Sequence, residues 1–160
     1  MSSQDSISVL FVCLGNICRS PMAEAVFAHT VKQHGLNDKI SKIDSAGTAS
    51  YHVGSVPDSR STSTCKSHGV PVKHHARKVT KKDFDNFDYV LCMDESNLSD
   101  LKRIQPNGSK AVLKLFGEFD PQGERIIEDP YYGGNDGFEH NFKQVSRASE
   151  GLLKSLQLIG

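Results

Sequence analysis

Tryptophan is missing from this chain of 160 residues, and cysteine is limited to four. Four cysteines with no secretion signal argue for a reducing compartment and against a disulfide framework. The early apolar run Val9-Leu10-Phe11-Val12 has no basic segment before it and is too short for a signal peptide. No other run approaches transmembrane length. An excess of either charge is lacking too: 19 Lys+Arg balance 19 Asp+Glu, so no net field recruits nucleic acid or an acidic membrane. The basic stretches 73–82 and 110–114 are short enough to be solvated faces. Structural zinc spacing is absent, with His74-His75 far in sequence from any paired cysteines. These absences lead to an expectation of one cytoplasmic domain over residues 1–160, without nucleic-acid or membrane partners and without a metal or cofactor.

What is present is concentrated in one segment, Cys13-Leu14-Gly15-Asn16-Ile17-Cys18-Arg19-Ser20-Pro21, which follows the apolar run directly. A short loop curls around a tetrahedral anion only if successive backbone N–H groups point inward, and Gly15 and Asn16 tolerate the dihedrals this needs. Ser20 before Pro21 reads as a helix N-cap followed by the first helical residue, so the positive helix end faces the cradle. Such surroundings favour a thiolate at Cys13, with the Ser20 hydroxyl placed to donate to it. Arg19 returns one loop later with a planar fork that fits two phosphoryl oxygens. A bare C-x5-R match has a plain alternative, a buried strand-end cysteine and a surface arginine. Here the apolar run before the match, the glycine within it and the Ser-Pro after it favour the anion pocket.

Apolar runs recur at 7–12, 39–44, 88–93 and 111–115, separated by helical patterns. Ala23, Val26, Phe27, Thr30 and Val31 share one helical face, which Gly35 can end. A weaker helix spans 58–68 with Gly69 as its stop, and Thr80-Lys81-Lys82-Asp83 fits a capping box. Asp94 can cap a helix carrying Leu98, Leu101 and Ile104. Phe138, Phe142, Val145, Leu152 and Leu156 form a long amphipathic stripe. The alternation predicts an α/β fold, a parallel sheet with helices on both faces, whose ligands sit beyond the strand C-termini, where Cys13 lies. The 117–137 stretch reads as a long functional loop.

The segment Val-Leu-Phe-Val-Cys-Leu-Gly-Asn-Ile-Cys-Arg-Ser-Pro-Met-Ala-Glu-Ala resembles the N-terminal signature of the low-molecular-weight protein tyrosine phosphatases. The resemblance extends to Ile43-Asp44-Ser45-Ala46-Gly47-Thr48, to the stretch from Phe87 to Leu98, and to Ile127-Glu128-Asp129-Pro130-Tyr131-Tyr132-Gly133, and so covers nearly the whole chain. It implies a three-layer fold with a four-stranded parallel sheet in the order 2-1-3-4 and a phosphate-binding loop after the first strand. The implied activity is metal-independent hydrolysis of phosphotyrosine and small aryl phosphates through a phosphocysteine. The implied substrates are phosphotyrosine-containing proteins or aryl phosphates, and the implied state is a monomer or weak self-association.

Residue by residue, the resemblance makes Cys13 the nucleophile and Arg19 the clamp, with the loop Leu14, Gly15, Asn16, Ile17, Cys18, Arg19 and Ser20 around the phosphate. Asp129-Pro130 alone reads equally as a turn starter or a general acid; the resemblance makes Asp129 the acid that protonates a phenolate leaving group and later the base that activates water. Asn16 then locks the loop backbone with Ser20, Ser45 and His74, and Glu24 can pair with His74. Leu14, Ile17, Tyr51, Tyr131 and Tyr132 become pocket walls that favour a phenyl ester. Tyr51, beside His52, departs from family members with tryptophan there. Cys18 becomes a redox partner able to bridge reversibly to Cys13. Two rivals are an arsenate reductase on the same fold, for which Cys65 and Cys92 lack a mobile setting, and a non-catalytic phosphotyrosine-binding module, which would not need nucleophile, arginine and acid together.

Overall fold

A computed structural model describes residues 6–130 and 135–160. Tyr131 and Tyr132 therefore lie outside the described residues. The sheet has four parallel strands in the order β2-β1-β3-β4: β1 (Ile7–Cys13), β2 (Ile40–Gly47), β3 (Tyr89–Cys92) and β4 (Val112–Leu115). β1 is central, and residues 9–13 are all buried. A strand covered on both faces reads as a continuous apolar run rather than an alternation, which is why the motif is preceded by one.

The strand's pleat divides the core in two. Val9, Phe11 and Cys13 face one cluster with Met22, Phe27 and Val31 of α1 (Arg19–Gln33), Cys65 of α2 (Ser59–Ser67), and Phe138, Val145 and Leu152 of α5 (Asn135–Ser155). Leu10 and Val12 face the other, with Phe84 of α3 (Asp83–Asn86) and Leu101 of α4 (Glu95–Ile104). The result is three layers, with α1, α2 and α5 on one side and α3 and α4 on the other. Among the described residues, no helix is long and apolar enough to cross a membrane.

Several local expectations are met and others corrected. Gly35 and Gly69 follow α1 and α2 with positive φ. Asp94 caps α4, accepting from the Asn97 N–H at 2.8 Å. The Thr80–Asp83 pattern bonds differently from a full capping box: the Asp83 carboxylate accepts from the Thr80 N–H at 2.8 Å, but the Thr80 hydroxyl donates to that carboxylate. β2 runs on to Gly47, because Ser45, Ala46 and Gly47 pair with Phe11, Val12 and Cys13. The 117–137 stretch opens in a 3-10 turn (Phe116–Phe119) and closes as α5 begins.

Candidate active site

β1 ends at Cys13 and α1 begins at Arg19, so the loop holds only five residues between the cysteine and the arginine. The helix starts earlier than Ser20-Pro21 suggests: Cys18 is the cap position, without a side-chain capping bond, and Pro21 is the third helical residue. Proline is harmless there because the first-turn N–H groups have no intrahelical acceptor. Ser20 is thereby released from capping and turns its hydroxyl to the Cys13 sulfur at 3.0 Å.

The loop's peptide planes are fixed from behind. The carbonyls of Cys13 and Leu14 accept from the N–H groups of Thr48 and Ala49, and that of Ile17 accepts from the Asp58 N–H at 2.7 Å. The Cys18 carbonyl accepts from the Ser61 hydroxyl at 3.0 Å. Because C=O and N–H oppose each other across a trans peptide, carbonyls drawn outward turn amides inward. Among the described residues, none of the backbone N–H groups of residues 14–19 is donated to a protein acceptor. Together with the α1 N-terminus they make a cradle for an anion.

Asn16 holds this shape. Its φ of 59° lies in the left-handed region, which asparagine tolerates better than most residues. Its side-chain oxygen accepts from the Arg77 N–H at 2.9 Å and from His74 Nε2 at 2.7 Å, and its amide donates to Ser20 Oγ at 2.8 Å and Ser45 Oγ at 3.0 Å. The Arg77 N–H can only donate, so it fixes which end of the amide is oxygen. The two hydroxyls then each accept a hydrogen bond from Asn16 and direct their own elsewhere: Ser45 donates to Glu24 Oε1 at 2.6 Å, while the Ser20 hydroxyl has the Cys13 sulfur at 3.0 Å and the Ala46 carbonyl at 3.4 Å within reach. The network thus joins Asn16, Ser20, Ser45 and Glu24 to the Cys13 sulfur at the end of β1.

Gly15 serves differently from the sequence expectation. Its φ is not positive; a Cβ there would meet the His52 ring at 2.9 Å, so glycine lets His52 close over the loop. His52, known from the sequence only as a neighbour of Tyr51, thereby becomes a wall of the site.

A cavity of about 230 Å³ opens over the loop, lined by Cys13, Leu14, Gly15, Ile17, Cys18, Arg19, Tyr51, His52 and Asp129. Arg19 is 3% exposed and is oriented by two acceptors, Asp94 Oδ2 at 2.7 Å and the Ile127 carbonyl at 3.0 Å, both on Nη1. Burial alone would lower its pKa, but the Cys13 sulfur, Asp94 and Asp129 outweigh it and hold the guanidinium charged. Asp129 Oδ2 stands 3.8 Å from Arg19 Nη2. Cys18 lines the same cavity as a protonated thiol, pushed up to about 12 by burial and then by Asp58 and the Cys13 sulfur. Burial likewise pushes Cys65 and Cys92 up to about 12.

The structure thus brings Cys13, Arg19, Asp129, Leu14, Ile17 and Tyr51 to one cavity and joins Asn16, Ser20, Ser45 and His74 in one network. Sequence reasoning missed Asp94 as the Arg19 partner, and missed Asp58 and Ser61 as loop supports. Asp94 and Asp58 each give a capping signal, but nothing in sequence links a cap to a loop dozens of residues away.

Comparison with known proteins bears on the same segments. Residues 8–158 match the family model for low molecular weight phosphotyrosine protein phosphatase. The Saccharomyces cerevisiae protein of that name is 52% identical over 151 residues, covering 92% of this chain and 94% of its own. The Homo sapiens protein of that name is 50% identical over 156 residues, covering 96% and 98%. Among solved structures, the protein tyrosine phosphatase from Entamoeba histolytica with Hepes in the active site superposes with a TM-score of 0.90 at 41% identity, covering 95% of this chain and 97% of its own. The Drosophila arginine phosphatase DARP gives a TM-score of 0.87 at 37% identity, covering 93% and 97%. Sequence likeness of this extent, on a fold whose first strand ends in an anion cradle, makes this chain a member of the low molecular weight phosphotyrosine protein phosphatase family, hydrolases of phosphoric monoesters.

Proposed function

We propose that the protein hydrolyses phosphotyrosine, in proteins or as small aryl phosphates, through a phosphocysteine and without a metal ion. The Cys13 thiolate attacks phosphorus while Arg19 and the loop amides bind the equatorial oxygens; the P–O bond to the phenol breaks as Asp129 gives that oxygen its proton. Water then attacks the phosphocysteine, Asp129 takes a proton from it, and the P–S bond breaks to return the thiolate and inorganic phosphate. The guanidinium and the amides supply the positive field that a cation supplies in other phosphoryl-transfer sites.

The observation that carries this reading is the sulfur at the end of β1, 3.0 Å from the Ser20 hydroxyl, in a cavity that also holds Arg19 and Asp129. The Leu14 and Ile17 side chains and the Tyr51 ring support an aryl ester by offering apolar and aromatic surface to a phenyl group. Cys18 adds a redox reading: peroxide oxidises Cys13 to a sulfenic acid, and the Cys18 sulfur displaces water from it to form a disulfide. A reducing compartment such as the cytoplasm fits a site whose sulfur must stay reduced.

The deciding experiment measures turnover of a series of aryl phosphates in the presence of a chelator, with phosphoarginine as a comparison substrate. Cys13→Ser is expected to abolish turnover and retain phosphate binding. Asp129→Ala should lose about 10²–10⁴-fold on poor leaving groups and much less on acidic phenols. Substantial activity in Cys13→Ser would sink the covalent scheme, and an Asp129→Ala loss independent of the leaving group would remove the acid from that role.

A further inference from the structure

Behind the loop, separated from Cys13 by Asn16 and Ser20, three ligand-type side chains converge that no step above uses. His74 is 9% exposed, and its Nε2–H is committed to Asn16 Oδ1 at 2.7 Å, so the Nδ1 lone pair points the other way. It faces Glu24 Oε1 of α1 at 3.4 Å and Asp44 Oδ1 of β2 at 3.8 Å, and all three atoms lie within 4.8 Å of one another. Arg77 is shared between two carboxylates: its two terminal nitrogens bind the two oxygens of Asp83 at 3.0 Å each, and its Nε reaches Asp44 through the other oxygen, Oδ2, also at 3.0 Å. Asp44 Oδ1 and Glu24 Oε1 are left facing the imidazole. Burial, opposed by the Ser45 hydrogen bond and reinforced by Asp44, pushes the Glu24 carboxyl up to about 7. Burial also lowers the His74 pKa.

We propose that Glu24, Asp44 and His74 form a binding site for one divalent first-row transition-metal ion, with Zn²⁺ the best match. Tetrahedral ligands at ~2.0–2.1 Å from zinc lie ~3.3–3.4 Å apart, so the distances to Nδ1 need only a small side-chain adjustment. Two carboxylates balance the ion's charge, and an imidazole ligand disfavours Mg²⁺ and Ca²⁺, which take oxygen. Each ligand already has an outer partner: Asn16 for His74, Ser45 for Glu24 and Arg77 for Asp44. Glu24 also lines a surface cavity of about 450 Å³ together with His29, Ile43, Val72 and Lys73, so this ligand is reached from solvent. An ion on Nδ1 polarises the Nε2–H and tightens its hold on Asn16, so occupancy stiffens the phosphate loop from the rear. The ion takes no part in the phosphoryl step, and the site stands whether or not Cys13 is the nucleophile.

The test uses the full-length, metal-free protein carrying Cys13→Ser, which removes the competing thiolate. One equivalent of Zn²⁺ should bind, and Co²⁺ should give the visible bands of a tetrahedral nitrogen–oxygen site without sulfur charge transfer. The thermal midpoint should rise by roughly 5–10 °C at free metal a hundredfold above Kd. Adding Asp44→Asn or, separately, Glu24→Gln should weaken uptake by about tenfold or more; each double variant is first checked for folding without metal, and Glu24→Gln decides if Asp44→Asn does not fold. No uptake, uptake unchanged in a folded double variant, or thiolate bands in the Co²⁺ spectrum would overturn the proposal.

Discussion

Asp94 performs two tasks with its two oxygens, and that division gives a sharp prediction. Oδ2 accepts from Arg19 Nη1 at 2.7 Å, while Oδ1 accepts from the Asn97 N–H at 2.8 Å and caps α4. Asp94→Asn keeps the shape and remains a good cap, but an asparagine has one acceptor oxygen, so it can cap the helix or hold Arg19, not both. A hydrogen bond to a charged group contributes ~1.5–3 kcal/mol and a neutral one ~0.5–1.5, so losing the charge costs about 1–2 kcal/mol at Arg19. If that energy orients the guanidinium for the transition state, kcat/KM falls roughly 5–30-fold. Asp94→Ala removes both bonds and should add ~1 kcal/mol of lost stability from the missing cap. Arg19 keeps the Ile127 carbonyl and Asp129, so the cost stays below the ~3–5 kcal/mol of a fully orphaned buried charge. Steady-state hydrolysis of an aryl phosphate and urea unfolding of the same samples separate the two tasks. A kcat/KM for Asp94→Asn within about twofold of wild type, or an activity loss that merely tracks the unfolded fraction, would refute the reasoning.

Asn16→Ala strips four hydrogen bonds and puts alanine at a positive φ, so denaturant unfolding should show a loss of about 3 kcal/mol or more, with weakened phosphate binding in the fraction still folded. Gly47→Ala introduces a Cβ only 2.7 Å from the Leu14 carbonyl oxygen and 3.2 Å from Asn16 N and Cβ; the displaced loop should lower kcat/KM about tenfold or more, while far-UV circular dichroism changes little. Asp120 lies buried against Arg147, with bonds of 2.9 and 2.8 Å to Nε and Nη2. Burial pushes its carboxyl up, but the Arg147 bonds and the Gln122 and Glu124 amides outweigh this and hold it below the ordinary 3.8. The pair's stabilisation is therefore complete above that value and disappears as pH falls through the lowered one. Arg147 keeps Glu124 at 2.6 Å, so Asp120→Asn should cost ~1–2 kcal/mol at pH 7, below the cost of an orphaned charge, and its unfolding curve should converge with wild type in stronger acid; a pH-independent difference would count against this account.

The parts of the fold visible in sequence were those with a local physical signal. The apolar run of β1 announced a strand buried on both faces, Gly35 and Gly69 marked helix ends, and the Phe138–Leu156 stripe announced α5. The end of β2 has no local signal because Ser45-Ala46-Gly47 carries no hydrophobic pattern; these residues are strand through their pairing with β1. Ser-Pro is a sound local capping signal, yet α1 starts at Arg19 and the Ser20 hydroxyl turns to tertiary partners instead. The loop and its arginine were legible because Cys13, the glycine-containing loop and Arg19 share one segment. Asp94, Asp58, Ser61 and the His52 ring were not, since each meets the loop only after the chain has folded.

Ile127 ties two regions together. Its N–H donates to the Met93 carbonyl at 2.9 Å, and its own carbonyl receives Arg19, two residues before Asp129. Gln144 and Asn141 of α5 hold the flanking carbonyls of Ile126 and Glu128. A carboxylate on a surface loop would ordinarily wander independently of the charge beneath it, but here one short backbone segment anchors both Asp129 and Arg19. Filling the cradle should therefore be felt at the Asp129 segment before any bond to phosphorus changes, and slack introduced into α5 should reach the chemistry without touching a reacting group.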